Sequence, residues 1–229
     1  MRIAYILGLF PALTETFIGE EIRAMEAMGH TIILIALHRP DSVFQPQDEA
    51  LAARTIYFCE IDPEQSRALL RQYAFRLHRA ISFTRMQTSE PHVSLLVHAA
   101  HLANRIRQER CTHVHAHFAW GAATYAIAAA KLLRLPITFT CHGSDVFTHP
   151  IDLPIKCKAA SAVIGVSPSI LSAVQTIAPH VKCHLIPCGV DIEHFKPVQD
   201  MSSKQDRWLF IGRLMECKGI DDILTAWAQ

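Results

Sequence analysis

The sequence contains no C-x-x-C pair, no G-x-G-x-x-G and no G-x-x-x-x-G-K-[ST]. The first absence removes the commonest zinc and dithiol signatures, the second argues against a nicotinamide or flavin dinucleotide site, and the third against a P-loop. Charge of one sign is missing as well. With 22 Lys and Arg against 21 Asp and Glu, the formal net charge is +1, so no global field points to nucleic acid. No uninterrupted apolar run approaches the roughly 18 residues of a membrane span, and the run ending at Leu7 is too short for a secretory signal. Internal repeats and low-complexity tracts are absent too.

What is present indicates a globular chain with a well-filled core: 229 residues, 50% hydrophobic and 19% charged, enough for one large domain or one and a half ordinary ones. The seven cysteines are odd in number, and Cys59, Cys141, Cys157 and Cys183 sit inside apolar segments. They read as buried thiols of a reducing, cytoplasmic compartment rather than a disulfide framework or a zinc site.

Apolar periodicity alternates along the chain. Ile3 to Leu7 reads as a buried strand, Phe17 to Met28 as an amphipathic helix closed by Gly29, and Thr31 to Leu37 as a second strand, together a βαβ unit. Thr55 to Cys59 is expected to be a third short strand, and Glu64 to Arg85 and His92 to Arg110 to be helices. Strands follow at 112–117, 137–141, 162–166 and 182–186, with helices at 122–133, 154–160 and 168–178 between them. Such alternation predicts an α/β fold built on a doubly wound parallel sheet, whose ligands bind at the carboxyl ends of the strands. The polar stretch 199–206 reads as a linker between a Rossmann-like domain over 1–198 and the start of a second over 207–229, one strand (207–211) and one helix (220–228).

Four places carry chemistry. In Thr138-Phe139-Thr140-Cys141-His142-Gly143-Ser144-Asp145 a histidine, a glycine and a carboxylate follow a predicted strand. His142 suits a proton acceptor or a hydrogen bond to a sugar hydroxyl, with Asp145 orienting it or binding a hydroxyl; the alternative is a turn that uses Gly143 and caps a helix with Asp145. In the first βα loop, Thr14, Glu15 and Thr16 are either the cap and first turn of a helix or one wall of an acceptor site. His113, His115 and His117 alternate and so share one face; a metal would need a further ligand and room in a covered sheet, so they are read as core or strand-end histidines and no metal is expected. Near the end, Gly212 permits close backbone approach, Arg213 offers a planar fork and Lys218 a point charge at a helix start, a combination that suits a diphosphate unless it is a solvated βα turn.

Between Glu64 and Arg85, Arg67, Arg71, Arg76, Arg79 and Arg85 lie beside Leu69, Leu70, Phe75, Leu77 and Ile81. This basic amphipathic pattern is either an ordinary surface helix with solvated arginines or a face for an anionic membrane surface, at the inner side of the plasma membrane.

Taken together and in order, the segments FPALTETFI from Phe10, HVHAHFA from His113, TFTCHGSD from Thr138, and IPCGVD from Ile186 with IGRLMECKG from Ile211 resemble the family 4 (group 1) retaining glycosyltransferases of the GT-B type. They look most like enzymes of bacterial exopolysaccharide or lipopolysaccharide synthesis. The resemblance implies transfer of a sugar, with retention, from a nucleotide-diphosphate sugar to a glycan or lipid-linked acceptor. It gives Arg213 and Lys218, beside Gly212, the donor diphosphate, and His142 with Asp145 the sugar site. It implies no metal and no other cofactor, since cationic side chains and a helix N-terminus neutralise the leaving diphosphate. Two departures stand out: Cys188 replaces the common Asn of the PNGVD motif, and the acidic E-x7-E motif is absent before Gln229. The latter carries the expectation of a chain truncated in its donor-binding domain and inactive in isolation. Two alternatives remain, a noncatalytic Rossmann-like module for an acceptor or membrane, and a nucleotide-sugar epimerase of the same architecture.

Overall fold

The computed structural model describes residues 1–41, 43–58, 63–196, 208–212 and 214–228, with only the backbone of 63–67 and of 217. The chain divides into two compact units, Met1–Asp191 and Ile192–Gln229. The expected linker at 199–206 lies outside the described residues.

In the first unit seven strands form one parallel sheet: β1 (Arg2–Leu9), β2 (Thr31–His38), β3 (Ile56–Tyr57), β4 (His113–His117), β5 (Ile137–Cys141), β6 (Ala162–Gly165) and β7 (Cys183–Leu185). Their spatial order is β3-β2-β1-β4-β5-β6-β7. The winding reverses between β1 and β4, where Tyr5 pairs with His115 and Ile6 with Ala116, and a crevice opens at such a reversal. The doubly wound α/β sheet expected from the alternation is therefore formed.

The helices of this unit are α1 (Thr16–Ala27), α2 (Glu49–Ala53), α3 (Pro63–Gln72), α4 (Leu77–Arg85), α5 (His92–Gln108), α6 (Gly121–Leu133), α7 (Leu153–Ala159) and α8 (Pro168–Ile177). Because strand side chains alternate, the sheet feeds two cores. Ala4, Ile6, Val114, Ala116, Phe139 and Val163 face a large cluster with α4 to α8. α6 is alanine-rich and buried on most of its surface, which lets it lie close to both the sheet and α5. Ile3, Tyr5 and Leu7 face the other way, toward Ile18 and Ile22 of α1 and Leu51 of α2. Helix α8 starts by the local rules: the Ser167 side chain accepts from the Ile170 N–H at 3.3 Å, and Pro168 opens the first turn.

Two expectations need correction. The helix expected from Glu64 to Arg85 is broken into α3, a tight turn at Ala74–Arg76 and α4. Tyr73 is buried at the break, α3 packs on α5, and α4 packs on α6 as well as α5, so two directions replace one. Phe75, placed on the apolar face by its spacing, is instead 96% exposed in the turn. The strand expected over 207–211 is not formed in its described residues, 208–211. Backbone ladders need a paired neighbour, and no strand of the sheet pairs with this segment among the described residues. The second unit has a helix, α9 (Ile220–Trp227), preceded by Gly219 at φ 66°, and Trp208 meets Trp227 edge to face at 5.7 Å.

On α1, a Cβ at Gly19 would stand 2.2 Å from Asp48 Oδ1. Asp48 is buried and accepts from Arg23 Nη1 at 2.8 Å. Gly19→Ala gains about 1 kcal/mol of helix propensity but must displace that pair. The expected outcome is a net loss of about 1–3 kcal/mol in urea unfolding.

Candidate functional site

At the carboxyl ends of β4 and β5 one buried carboxylate organises the chain. Asp145, with no exposed surface, accepts from the Ala119 N–H and from the His142 N–H, each at 2.7 Å. Lys156 is buried alongside and donates to the carbonyls of Ala119 at 2.7 Å and Ile151 at 2.9 Å. Burial pushes the Asp145 carboxyl up to about 6, against the pull of its backbone donors and of Lys156. Burial likewise brings Lys156 down to about 8, against Asp152 and Asp145.

Between these anchors Phe118 adopts φ 65°, a left-handed conformation that is costly for a bulky residue. It is held by its N–H to the Thr140 carbonyl at 2.9 Å, and its ring lies parallel to Trp120 at 5.2 Å. The same ring approaches His142 at 4.3 Å, while Phe17 of α1 covers His142 at 4.8 Å. Burial, then repulsion from His117, brings His142 down to about 3, so the imidazole is neutral at pH 7. Its Nε2 lies 3.4 Å from His117 Nδ1.

Behind His142 a polar row runs back along the sheet. Glu21 of α1 accepts from Tyr5 OH at 2.8 Å and approaches His117 Nε2 at 3.4 Å and His115 Nε2 at 3.8 Å. Burial opposes the charge of Glu21, but His117, His115 and Tyr5 outweigh it and hold the carboxyl at about 2. A cavity of about 800 Å³ follows this row. His142 stands at its carboxyl-end side, α1 forms one wall, and Ile186 to Asp191 form another. The Ile186 N–H is fixed to the Gly165 carbonyl at 3.1 Å.

The arrangement can take a polyhydroxylated ligand: the neutral His142 imidazole and the hydroxyls of Thr138 and Thr140 line the cavity and offer hydrogen-bonding groups. The pattern of Glycosyltransferase Family 4 matches residues 14–194, which take in the side chains described here except that of Tyr5. The chain belongs to glycosyltransferase family 4. Among curated proteins, direct sequence comparison finds no match. A glycosyltransferase from Rickettsia africae superposes with a TM-score of 0.54 at 16% identity, over 90% of this chain and 46% of that one. MurG from Acinetobacter baumannii gives 0.50 at 12% identity, over 86% of this chain and 48% of that one. At those identities the likeness concerns the fold, that of the N-terminal domain of GT-B glycosyltransferases. The chain spans about half the length of the solved structures it matches.

Within this family 4 domain the residues singled out by sequence distribute as follows. His142 and Asp145 come together at the cavity end, Asp145 reaching His142 through the backbone. α1 begins at Thr16 without a side-chain cap, so Thr14, Glu15 and Thr16 form its entry turn, with Phe17 next to His142. Gly212 and Lys218 belong to the second unit, where Lys218 is exposed and a Cβ at Gly212 would stand 2.9 Å from the Phe210 ring. Arg213 lies outside the described residues. Cys188 is exposed at the cavity wall. Tyr5, Glu21 and Lys156 were not singled out by sequence. Glu21 had a signal: it falls four residues after Phe17 on a helix whose buried face is Ile18 and Ile22, so a carboxylate borders the apolar stripe. Nothing comparable marks Tyr5 or Lys156, which sit in ordinary apolar or capping contexts.

Asp145 makes stability depend on pH with a definite sign. Its unfolded carboxyl ionises near 3.8 and its folded one near 6, so between these values the unfolded chain binds fewer protons and stability falls as pH rises. The expected loss from this group between pH 4 and pH 6 is about 2 kcal/mol, at about 1.4 kcal/mol per pKa unit over the part of the window where only the folded carboxyl is protonated. Urea unfolding at successive pH values measures it, and the slope over that window flattens in Asp145→Asn.

Proposed function

We propose that this chain carries the acceptor-side domain of a glycosyltransferase that moves a sugar from a nucleotide-diphosphate donor to a hydroxyl of a glycan or lipid-linked acceptor. The observation that carries the reading is His142: a neutral imidazole, fixed by Asp145 at the end of β5, set at the end of a cavity in a family 4 domain. A neutral ring both donates and accepts, so it can hold a sugar hydroxyl without adding charge where an oxocarbenium-like centre develops. Asp145 acts through the loop, as a positioning residue for His142 and Ala119. Thr14, Glu15 and Thr16 form the acceptor wall.

Gly212, Arg213 and Lys218 are assigned to the donor diphosphate, whose growing charge on bond cleavage their cations offset. Transfer with retention, and a role in bacterial surface polysaccharide synthesis, complete the reading and rest on the resemblance in sequence. The protein works in the cytoplasm, at the inner face of the plasma membrane. One feature supports the membrane: Phe75 stands 96% exposed in the turn between α3 and α4, with Arg71, Arg76 and Arg79 exposed around it. The side chain of Arg67 lies outside the described residues. No helix among the described residues is long and apolar enough to cross a membrane.

The test is sugar transfer or nucleotide release from UDP- and GDP-sugars by the 229-residue chain, and by a longer form of it where one exists. His142→Ala should lower turnover by about 100-fold or more, the range for a lost acid–base or transition-state contact, while Lys218→Ala raises the KM for donor. Turnover unchanged in His142→Ala contradicts the assignment. For the surface, Arg71→Glu/Arg76→Glu/Arg79→Glu should abolish sedimentation with phosphatidylserine vesicles, each lost cation being worth about 1 kcal/mol. Equal sedimentation of variant and wild type removes that part.

A further inference from the structure

His115 and His117, two residues apart on β4, face the same side of the sheet and look across to α1. Glu21 meets them there. Its Oε1 lies 3.4 Å from His117 Nε2 and 3.8 Å from His115 Nε2, and the three candidate ligand atoms all fall within 4.8 Å of one another. A tetrahedral zinc ion with bonds of about 2.0–2.1 Å sets neighbouring ligand atoms roughly 3.3 Å apart. The two spacings to Glu21 are close to that value, and the two imidazole nitrogens, within 4.8 Å of each other, have further to close.

A second observation points the same way. His117 Nε2 is fully buried, aims into the gap and has no hydrogen-bond partner among the described residues. Its approach to Glu21 is not aligned as a hydrogen bond. Leaving a buried polar atom unsatisfied costs about 1–3 kcal/mol, which a metal bond would remove. The outer atoms of the group are already held, as second-shell partners hold metal ligands. His115 Nδ1 meets Thr138 Oγ1 at 2.8 Å and His117 Nδ1 faces His142 Nε2 at 3.4 Å, while Tyr5 OH donates at 2.8 Å to Glu21 Oε1, the oxygen that faces the two imidazoles, and so orients that carboxylate. The competing contact, Thr140 Oγ1 to His115 Nε2 at 3.3 Å, is long and easily yielded.

We propose that Glu21, His115 and His117 form a binding site for a divalent transition-metal ion of the zinc class. Two imidazoles and one carboxylate are the donor set of open metal sites, which keep further positions for water or a ligand oxygen. Glu21 and His115 line the 800 Å³ cavity, so those positions face it. The site goes beyond glycosyl transfer and does not rest on it; it also departs from the expectation that no metal is bound. Sequence alone missed it because the third ligand comes from another element, helix α1, whereas the two histidines are on strand β4.

The test is cobalt(II) titration of the chelator-stripped full chain, followed by its visible absorption, with zinc displacement afterwards. One equivalent should bind with the intense absorption of low-coordinate cobalt. Glu21→Gln and His117→Asn should each weaken binding by roughly 100-fold or more, while the exposed-site variant His180→Asn leaves it unchanged. Far-UV circular dichroism establishes that each variant is folded. X-ray absorption of the loaded wild type needs no variant and should report nitrogen and oxygen ligands with two imidazoles. Absence of stoichiometric binding, binding unchanged in folded Glu21→Gln and His117→Asn, or a sulfur-rich shell from the cysteines would each overturn the proposal.

Discussion

The buried carboxylate of Asp145 is the constraint on which the site depends. With one oxygen it takes the N–H of Ala119, just past β4, and with the other the N–H of His142, just past β5. Neither loop has a regular partner for those donors, and a buried unpaired N–H costs about as much as a lost hydrogen bond. Asp145 thus fixes two adjacent strand ends in one register. Lys156 braces the arrangement from behind by occupying the Ala119 carbonyl. What this framework sustains is a strained Phe118 and a desolvated His142, neither of which would persist on a free loop.

The electrostatics of the cavity follow from the same burial. His115 and His142 are kept neutral by desolvation, while Glu21, whose carboxyl is held at about 2, is ionised beside them. The first unit therefore offers hydroxyl-binding groups along its cavity, with the carboxylates Glu20, Glu21 and Asp191 and the cation Arg23 in the lining. The cations assigned to the diphosphate, Arg213 and Lys218, belong to the other side of the division at Asp191.

Much of the fold was legible because parallel strands buried on both faces leave near-continuous apolar runs, as in Ile3 to Leu7 and Ile32 to Leu37. The helices between them carry local signals, such as Ser167 and Pro168 before α8. Legibility failed where tertiary packing decided. Tyr73 breaks a helix that periodicity reads as continuous, because α3 and α4 serve different neighbours. At 208–211 the apolar residues suggest a strand, but a strand exists only with a partner. In the site, His142 and Asp145 were visible because they are adjacent in sequence at a strand end. Lys156 was not, since its meaning lies in contacts with the loop after β4 that no local pattern encodes, and Glu21 showed only as a carboxylate beside an apolar stripe, its histidine partners lying on β4.

The most direct measurement is histidine ring NMR of the selectively labelled full-length protein during titration with UDP- and GDP-sugars. If the cavity at the end of β5 receives the sugar, the His142 ring resonances move on binding, with smaller changes at His117 through their contact, while exposed His180 stays still. Saturable binding that leaves His142 unmoved would contradict a sugar site there.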